Sequence, residues 1–247
     1  MGALRLKFWI LLGVLATLVS GLRAQAQTGL PLVPDAWLAP EGTASLQQSY
    51  SPEVAELKAS LAPFDWAQAS FSYDFYDLPS LIADNDGSWV DRSLDAELRL
   101  WPEGDWRPQV SIGLQDLLGT GDRSAEYLAA SKSFEGFNLT AGLGWGALAG
   151  EQGWSNPIYS YLGERGEGSV LSGWSSLPFT GPQISPFAGI SWQPQGSDWS
   201  FAVDYSQGQA FRSVYNQAAS PISAKIGKQT RFGQVSLAYL QGSTWQI

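Results

Sequence analysis

The chain of 247 residues contains no cysteine and no histidine. Without cysteine there is no disulfide, no thiolate metal site and no cysteine nucleophile, and no N-terminal cysteine to carry the acyl chains of a lipoprotein anchor. Without histidine the commonest general base and the commonest metal ligand are both missing, which argues against a hydrolase triad and against a zinc enzyme. Basic residues are also scarce. There are 14 Lys and Arg against 23 Asp and Glu, so the phosphate-neutralising surface of a nucleic-acid-binding protein is not expected. The last absence concerns apolar runs. Beyond the first 26 residues no stretch approaches the roughly 18 apolar residues of a spanning helix. If the chain crosses a bilayer, it must do so with strands closed into a barrel, the other arrangement that pairs every backbone group in lipid.

What is present begins with a secretory signal over residues 1–26. Arg5 and Lys7 form a positive start, Phe8 to Val19 is an uncharged apolar run, and Ala24-Gln25-Ala26 supplies a small-x-small cleavage pattern. This region holds three basic residues and no acidic one, so the remainder carries 11 basic against 23 acidic residues, a net charge of −12. About 221 residues then remain, enough for one sizeable domain. Residues 27–43 are Pro-rich, with Pro31, Pro34 and Pro40, and read as an extended lead-in outside any strand ladder.

From residue 44 to 247 the dominant signal is a period of two. Phe71, Tyr73 and Phe75 alternate with polar neighbours, as do Leu94, Ala96, Leu98 and Leu100, then Val110, Ile112 and Leu114. The same holds for Leu139 to Ala147, Phe201 to Tyr205 and Val235 to Tyr239. Weaker candidates lie at 44–50, 54–61, 124–134, 184–193 and 221–231, for a total of about eleven strands.

A sandwich and a barrel both alternate, and three features favour an all-β, antiparallel, outer-membrane-type barrel of about 10–12 strands. The second face of nearly every strand is small and polar, as a lumen requires. In residues 138–147 it is Asn, Thr and three glycines; those glycines leave room for water, a ligand or a folded-in loop, or mark a tight bend. Trp66, Trp101, Trp106, Trp192, Trp199 and Trp245 sit near strand ends, where an interfacial girdle falls. Short links after Trp101, Phe134, Trp192 and Thr230 alternate with long ones after Tyr76, Leu117, Leu148 and Ser206, the longest at about 149–183. Eleven is an odd count. It points to one strand missed or overcounted, or to an incomplete barrel.

Several segments resemble the YjbH-type proteins of exopolysaccharide and capsule loci. Gly29-Leu30-Pro31, Pro34-Asp35-Ala36-Trp37 and Pro40-Glu41-Gly42-Thr43 match a stretch that precedes the first strand in that family. The run Asp91 to Leu100 also matches. The most specific block is Pro108 to Asp116, Gly119-Thr120-Gly121, Glu126-Tyr127-Leu128-Ala129-Ala130-Ser131-Lys132 and Gly142-Leu143-Gly144-Trp145-Gly146. Asn156-Pro157 and Pro186-Phe187-Ala188-Gly189 match more loosely. The resemblance implies an outer-membrane barrel acting in export or assembly of an extracellular polysaccharide. Members are typically longer, with a second barrel-like half, and this chain resembles the first half.

No catalytic, cofactor-binding or metal-binding residue is assigned. Gly119-Thr120-Gly121 lacks the rest of a phosphate fingerprint and reads as a hairpin turn. Asp84-Asn85-Asp86-Gly87 lacks the later ligands of a calcium loop. Asp74 and Asp77 form the kind of acidic pair that any acidic chain offers by chance. The polar positions expected to line a lumen are Asp95, Glu97 and Arg99, joined by Asp116, Glu126 and Lys132. The expected function is thus non-enzymatic, in the bacterial outer membrane. The expected partners are outer-membrane lipid, other envelope proteins of the same locus and a polysaccharide. Two alternatives stand beside it: a structural or adhesive barrel without transport, and a secreted β-sandwich that binds or cleaves carbohydrate.

Overall fold

A computed structural model of the chain describes residues 29–52, 54–77, 88–118, 121, 123–150, 153–165, 177–208 and 220–247. The expected signal segment, the Asp84–Gly87 stretch and Gly119-Thr120 lie outside them, as does the side chain of Asp77. The described chain is nearly all strand. In order come β1 (Thr43–Tyr50), β2 (Val54–Phe64), β3 (Ala67–Asp77), β4 (Ser88–Trp101), β5 (Gln109–Gln115), β6 (Ala125–Phe134) and β7 (Phe137–Gly146). A two-residue β8 (Trp154–Ser155) and a single helical turn α1 (Tyr159–Leu162) follow. Then come β9 (Gln183–Trp192), β10 (Trp199–Ser206), β11 (Ile222–Thr230), β12 (Gly233–Leu240) and β13 (Thr244–Gln246).

Apart from β8, which pairs on β9, each strand pairs antiparallel with the next in one continuous sheet. The path holds twelve strands and curls until its ends meet. Ile247, just past β13, lies beside Tyr50 of β1, and the two residues exchange both backbone hydrogen bonds, at 2.8 and 2.9 Å. The chain therefore forms a nearly closed barrel and not a two-sheet sandwich. The odd strand count is resolved by β13. Three residues are too few to show alternation, so that strand is visible only once the ring brings it to β1.

The alternation is inverted relative to a soluble protein. In β10 the exposed residues are Trp199, Phe201, Val203 and Tyr205, while Ser200, Ala202, Asp204 and Ser206 are buried. The same holds around the ring. Leu46, Leu61, Phe71, Leu98, Leu139, Ile190, Ile226 and Leu237 face outward and are exposed, whereas Ser70, Ser111, Ser131, Ser185, Ser191 and Ser223 are buried inside. Serine fits there because its short side chain leaves room in a narrow lumen and its hydroxyl both donates and accepts.

The two rims differ. One carries the short turns Asp65–Trp66, 102–108, Glu135-Gly136, 193–198 and Arg231-Phe232. In the β6–β7 turn both Glu135 and Gly136 have positive φ, +46° and +87°, the handed pair that matches the strand twist of a two-residue hairpin. The other rim carries the longer connections, the longest running from 147 to 182. Of the six tryptophans expected in a girdle, Trp66, Trp101, Trp106, Trp192 and Trp199 all lie at the short-turn rim and are exposed. Phe137, Trp192 and Phe201 stack there in sequence, with ring centroids 5.7 Å apart, and the Lys228 ammonium sits 4.9 Å above the Trp199 ring. Trp245 lies towards the opposite rim against Tyr239.

Candidate functional site: a strap through the lumen

The Pro-rich lead-in enters no ladder. It runs through the inside of the barrel. Near the long-loop rim the Lys225 ammonium on β11 donates to the carbonyl oxygens of Gly29 and Leu30. Asp204 on β10 accepts the backbone N–H groups of Leu32 at 2.6 Å and Val33 at 2.9 Å through one oxygen. Further along, the Ala36 N–H donates to the Ser131 hydroxyl on β6, and the Gln109 amide on β5 donates to the Ala36 carbonyl. The Ala39 N–H donates to Gln68 on β3. The segment then leaves at the short-turn rim and becomes β1. Prolines suit such a strap. They stiffen it and remove donors that a lumen wall would otherwise have to satisfy.

One side of the strap is apolar. Val33 and Ala36 pack with Ala125, Tyr127, Ala129, Leu148 and Phe187, and Leu30 joins them. The glycines of the wall are where this packing demands them. A Cβ on Gly142 would lie 2.2 Å from the Phe187 ring, and one on Gly189 would lie 2.4 Å from Leu30. One on Gly144 would lie 2.4 Å from Leu148. The space opened by glycine is thus filled by a ring from the next strand, by the strap and by the start of the long loop.

On the strap's other side a cavity of about 360 Å³ remains against β1 to β5. Serines and glutamines are the commonest uncharged polar residues that line it. Its charged groups are Asp35, Glu56, Asp95, Glu97 and Asp116 against Lys58 and Arg123, so the space is net acidic. Lys58 pairs with Asp95 at 2.6 Å. Glu97 accepts from the Ser111 hydroxyl at 2.7 Å. Arg123 reaches the buried carboxylate of Asp74 and the Tyr76 hydroxyl. Asp116, in the β5–β6 loop, is buried, and loss of solvent pushes its carboxyl up to about 7 against the opposing pull of the Arg123 N–H.

The family model described as "Exopolysaccharide biosynthesis protein YbjH" matches residues 22–247. The chain belongs to the YjbH family. It is also 32% identical over 236 aligned positions to a protein of Escherichia coli (strain K12) named "Uncharacterized lipoprotein YjbH". That alignment covers 89% of this chain and 33% of the relative, so the chain spans about a third of the relative's length. No solved structure matches.

The YjbH-like segments now have physical roles. Gly29 to Gly42 is the strap, and Thr43 begins β1. In the Glu126 to Lys132 block, the Tyr127 ring lies over Gly113 of the adjoining β5, where a Cβ would lie 2.1 Å from it, and Ser131 holds Ala36. Of the polar residues expected to line the lumen, Asp95, Glu97 and Asp116 border the cavity. Arg99 lies near the short-turn rim, 2.6 Å from Asp65. Glu126 and Lys132 correct the expectation. They share the outward face of Leu128, opposite Tyr127. Lys132 pairs at 2.9 Å with Glu103 of the β4–β5 turn. Glu126 is fully buried on the outer wall, under the long loop, where both its oxygens accept from the Arg165 guanidinium at 2.8 Å. The Phe179 N–H adds a third bond, and the Phe179 ring packs edge-on against Trp145. The strap holders Asp204, Lys225, Gln109 and Gln68 were not singled out by the sequence. Their signal was a polar side chain at a lumen-parity position, which alternation alone does not separate from simple hydration.

Proposed function

We propose that this protein is a bacterial outer-membrane β-barrel that takes part in export or assembly of an exopolysaccharide and is not itself an enzyme. The observation that carries this is the inverted alternation: an exposed apolar wall closed around a polar, strap-filled lumen. Monomeric soluble proteins rarely expose apolar patches beyond a few hundred Å², and here the apolar face runs around the ring. Along β4 the apolar outward residues Leu94, Ala96, Leu98 and Leu100 follow the outward-facing Arg92 and span about 20 Å of strand, which a tilt of about 40° turns into about 16 Å of height, within the roughly 25 Å hydrocarbon band of such barrels. Aromatic rings at the rims suit the headgroup region on either side. The family supports the polysaccharide context. The cavity, lined by hydroxyl, amide and carboxylate groups, suits the polar surface of a glycan, and other envelope proteins of the same locus are the expected partners.

A second reading is a barrel without transport. It is favoured by the strap, which occupies much of the lumen. The two readings share the membrane location and part on conductance. The location is tested by fractionating cells that produce the full chain. The protein should sediment with the outer membrane, require detergent for release, and migrate faster on gels before boiling than after. Recovery as a detergent-free soluble monomer would overturn the proposal.

A further inference from the structure

Three carboxylates stand in one cross-strand row inside the barrel. Glu56 of β2 lies opposite Asp74 of β3, and Asp74 lies opposite Asp91 of β4. All three occupy positions that face the lumen, and Asp74 and Asp91 are buried. Asp116, just past the end of β5, is buried within electrostatic reach of Asp91. One guanidinium answers this group. Arg123 pairs with Asp74 and lies within electrostatic reach of Glu56. The nearby Lys58 is taken up by Asp95. Like charges set directly opposite one another are destabilising, and buried carboxylates are costly unless cations compensate them. Among the described residues the row is therefore short of positive charge.

Two observations beyond the charge count point to a ligand. Oδ1 of Asp74 and Oδ1 of Asp116 have no hydrogen-bond partner, although each residue is only 1% exposed. The Trp37 indole, carried by the strap, borders the same cavity as Glu56 and Asp116, and its N–H also lacks a partner. Ser45, Ser60 and Ser70 of β1 to β3 line the wall of that cavity. An aromatic plane with an N–H at its edge, beside a wall of hydroxyls, fits a sugar ring with its apolar faces and hydroxyl-bearing rim. Among the described residues no three carboxylates are grouped as the shell of a metal ion requires. An ammonium asks for less. It donates up to three bonds to separate acceptors, and carboxylates accept them strongly.

We propose that the long-loop end of the cavity binds the ammonium group of an amino-bearing glycan, with Glu56 and Asp116 as its acceptors and Trp37 as a platform for a sugar ring of the same molecule. Asp74 and Asp91 add to the negative field without bordering the cavity. The substrate class is thus a polysaccharide whose units carry free amines. An acidic polymer would meet carboxylates of its own sign, and an N-acetylated one would leave the row uncompensated. Burial pushes the Asp116 carboxyl up to about 7, and a cation bound beside it draws it back towards the ionised form. The inference deepens the proposed role and rests on it only for the sugar; the ammonium site stands on the row of carboxylates.

The test titrates the full chain, folded in detergent micelles near neutral pH, with a β-1,4-linked glucosamine tetramer and separately with its N-acetylated counterpart. The free-amine tetramer is expected to bind saturably and about tenfold more tightly than the acetylated one, the scale of a charge-assisted hydrogen bond. Asp116→Asn and Glu56→Gln should each weaken it by about tenfold while keeping the difference in mobility between boiled and unboiled samples. Asp105→Asn, on the exposed β4–β5 turn, should leave it unchanged. Trp37→Ala should weaken both tetramers and leave binding of 1,6-diaminohexane as it was. Equal affinity for the two tetramers, full binding by both Asp116→Asn and Glu56→Gln, or an equal loss in Asp105→Asn, which would mean general attraction to an acidic chain, would each overturn the proposal. Displacement of the tetramer by an equal concentration of calcium would overturn it too, since the row would then be a metal site. Unchanged tetramer binding by Trp37→Ala would remove the sugar, and with it this support for the polysaccharide reading, while the loss in Asp116→Asn would still uphold the ammonium site.

Discussion

At the scale of single residues, the lumen is held by a few buried polar groups whose partners lie far away in sequence. Asp204 is the clearest case, since one carboxylate oxygen accepts two consecutive N–H groups of the strap more than 170 residues earlier. Asp116 shows how such burial makes a group sensitive to pH. Its carboxyl is raised from the ordinary 3.8 to about 7, chiefly by burial. Below about pH 4 the side chain is protonated whether the chain is folded or not, and nothing is lost. As the pH rises towards about 7 the unfolded chain ionises freely while the folded one does not, so the folded state loses stability across that interval and none further above it. The melting midpoint should therefore fall between pH 4 and 7, and Asp116→Asn should flatten that fall. Asn is suited to the substitution because it tolerates the positive φ of +53° found there. An equal slope in the two proteins would show that Asp116 is not the group responsible.

At the scale of elements, a period of two was enough to find the strands with large apolar residues at every second position, such as Phe71 to Phe75 or Val235 to Tyr239. It was less informative for β6, where Tyr127 and Leu128 are both apolar neighbours. The phase of that strand could not be read from Ala125 to Phe134, which is why Glu126 and Lys132 were placed on the wrong face. The strap was legible as a non-strand from its prolines, but its path through the lumen is fixed by long-range contacts that no local pattern encodes. The exposure of the tryptophans near strand ends, such as Trp66 and Trp106, follows from that position whichever way the phase runs. The glycines of β7 remained ambiguous between a bend and an accommodation until Phe187 and Leu148 were seen against them. That resolution makes a graded prediction. Gly142→Ala sets a Cβ against both the Phe187 ring and the Leu128 carbonyl oxygen at 2.7 Å, and the backbone atom cannot swing away. It should destabilise the barrel by about 1–3 kcal/mol, the usual range for overpacking. Gly104→Ala, on the short-turn rim, meets only the flexible Arg107 side chain at 3.2 Å and should change stability by less than about 0.5 kcal/mol. The temperature at which the fast-migrating gel band is lost reads both. Equal midpoints for the two variants would refute the packing role given to Gly142.

At the scale of the whole molecule, the question is whether the lumen can conduct. A ring of twelve strands is wide enough for a polar interior, yet here the strap crosses it from the long-loop rim to the short-turn rim, with its apolar side sealed against Phe187 and Leu148. The remaining space is lined by five carboxylates and two cations. A strap held by a handful of hydrogen bonds, each worth about 0.5–1.5 kcal/mol net, is a separable part and not a component of the sheet. None of the strand ladders depends on it. Removing residues 29–40 should leave the barrel folded, with the same difference in mobility between boiled and unboiled samples. It should also raise single-channel conductance in planar bilayers at least severalfold over the full chain. The current should favour cations, because a lumen with excess carboxylate attracts them and excludes anions. A pair of substitutions, Asp204→Ala with Ser131→Ala, removes three of the strap's anchors while keeping its bulk. It should give intermittent openings in place of a steady current. If the deletion variant folds but conducts no better than the full chain, the barrel is blocked by something other than the strap, and the reading without transport gains the advantage. If it conducts without preference between cations and anions, the acidic cavity does not lie on the path.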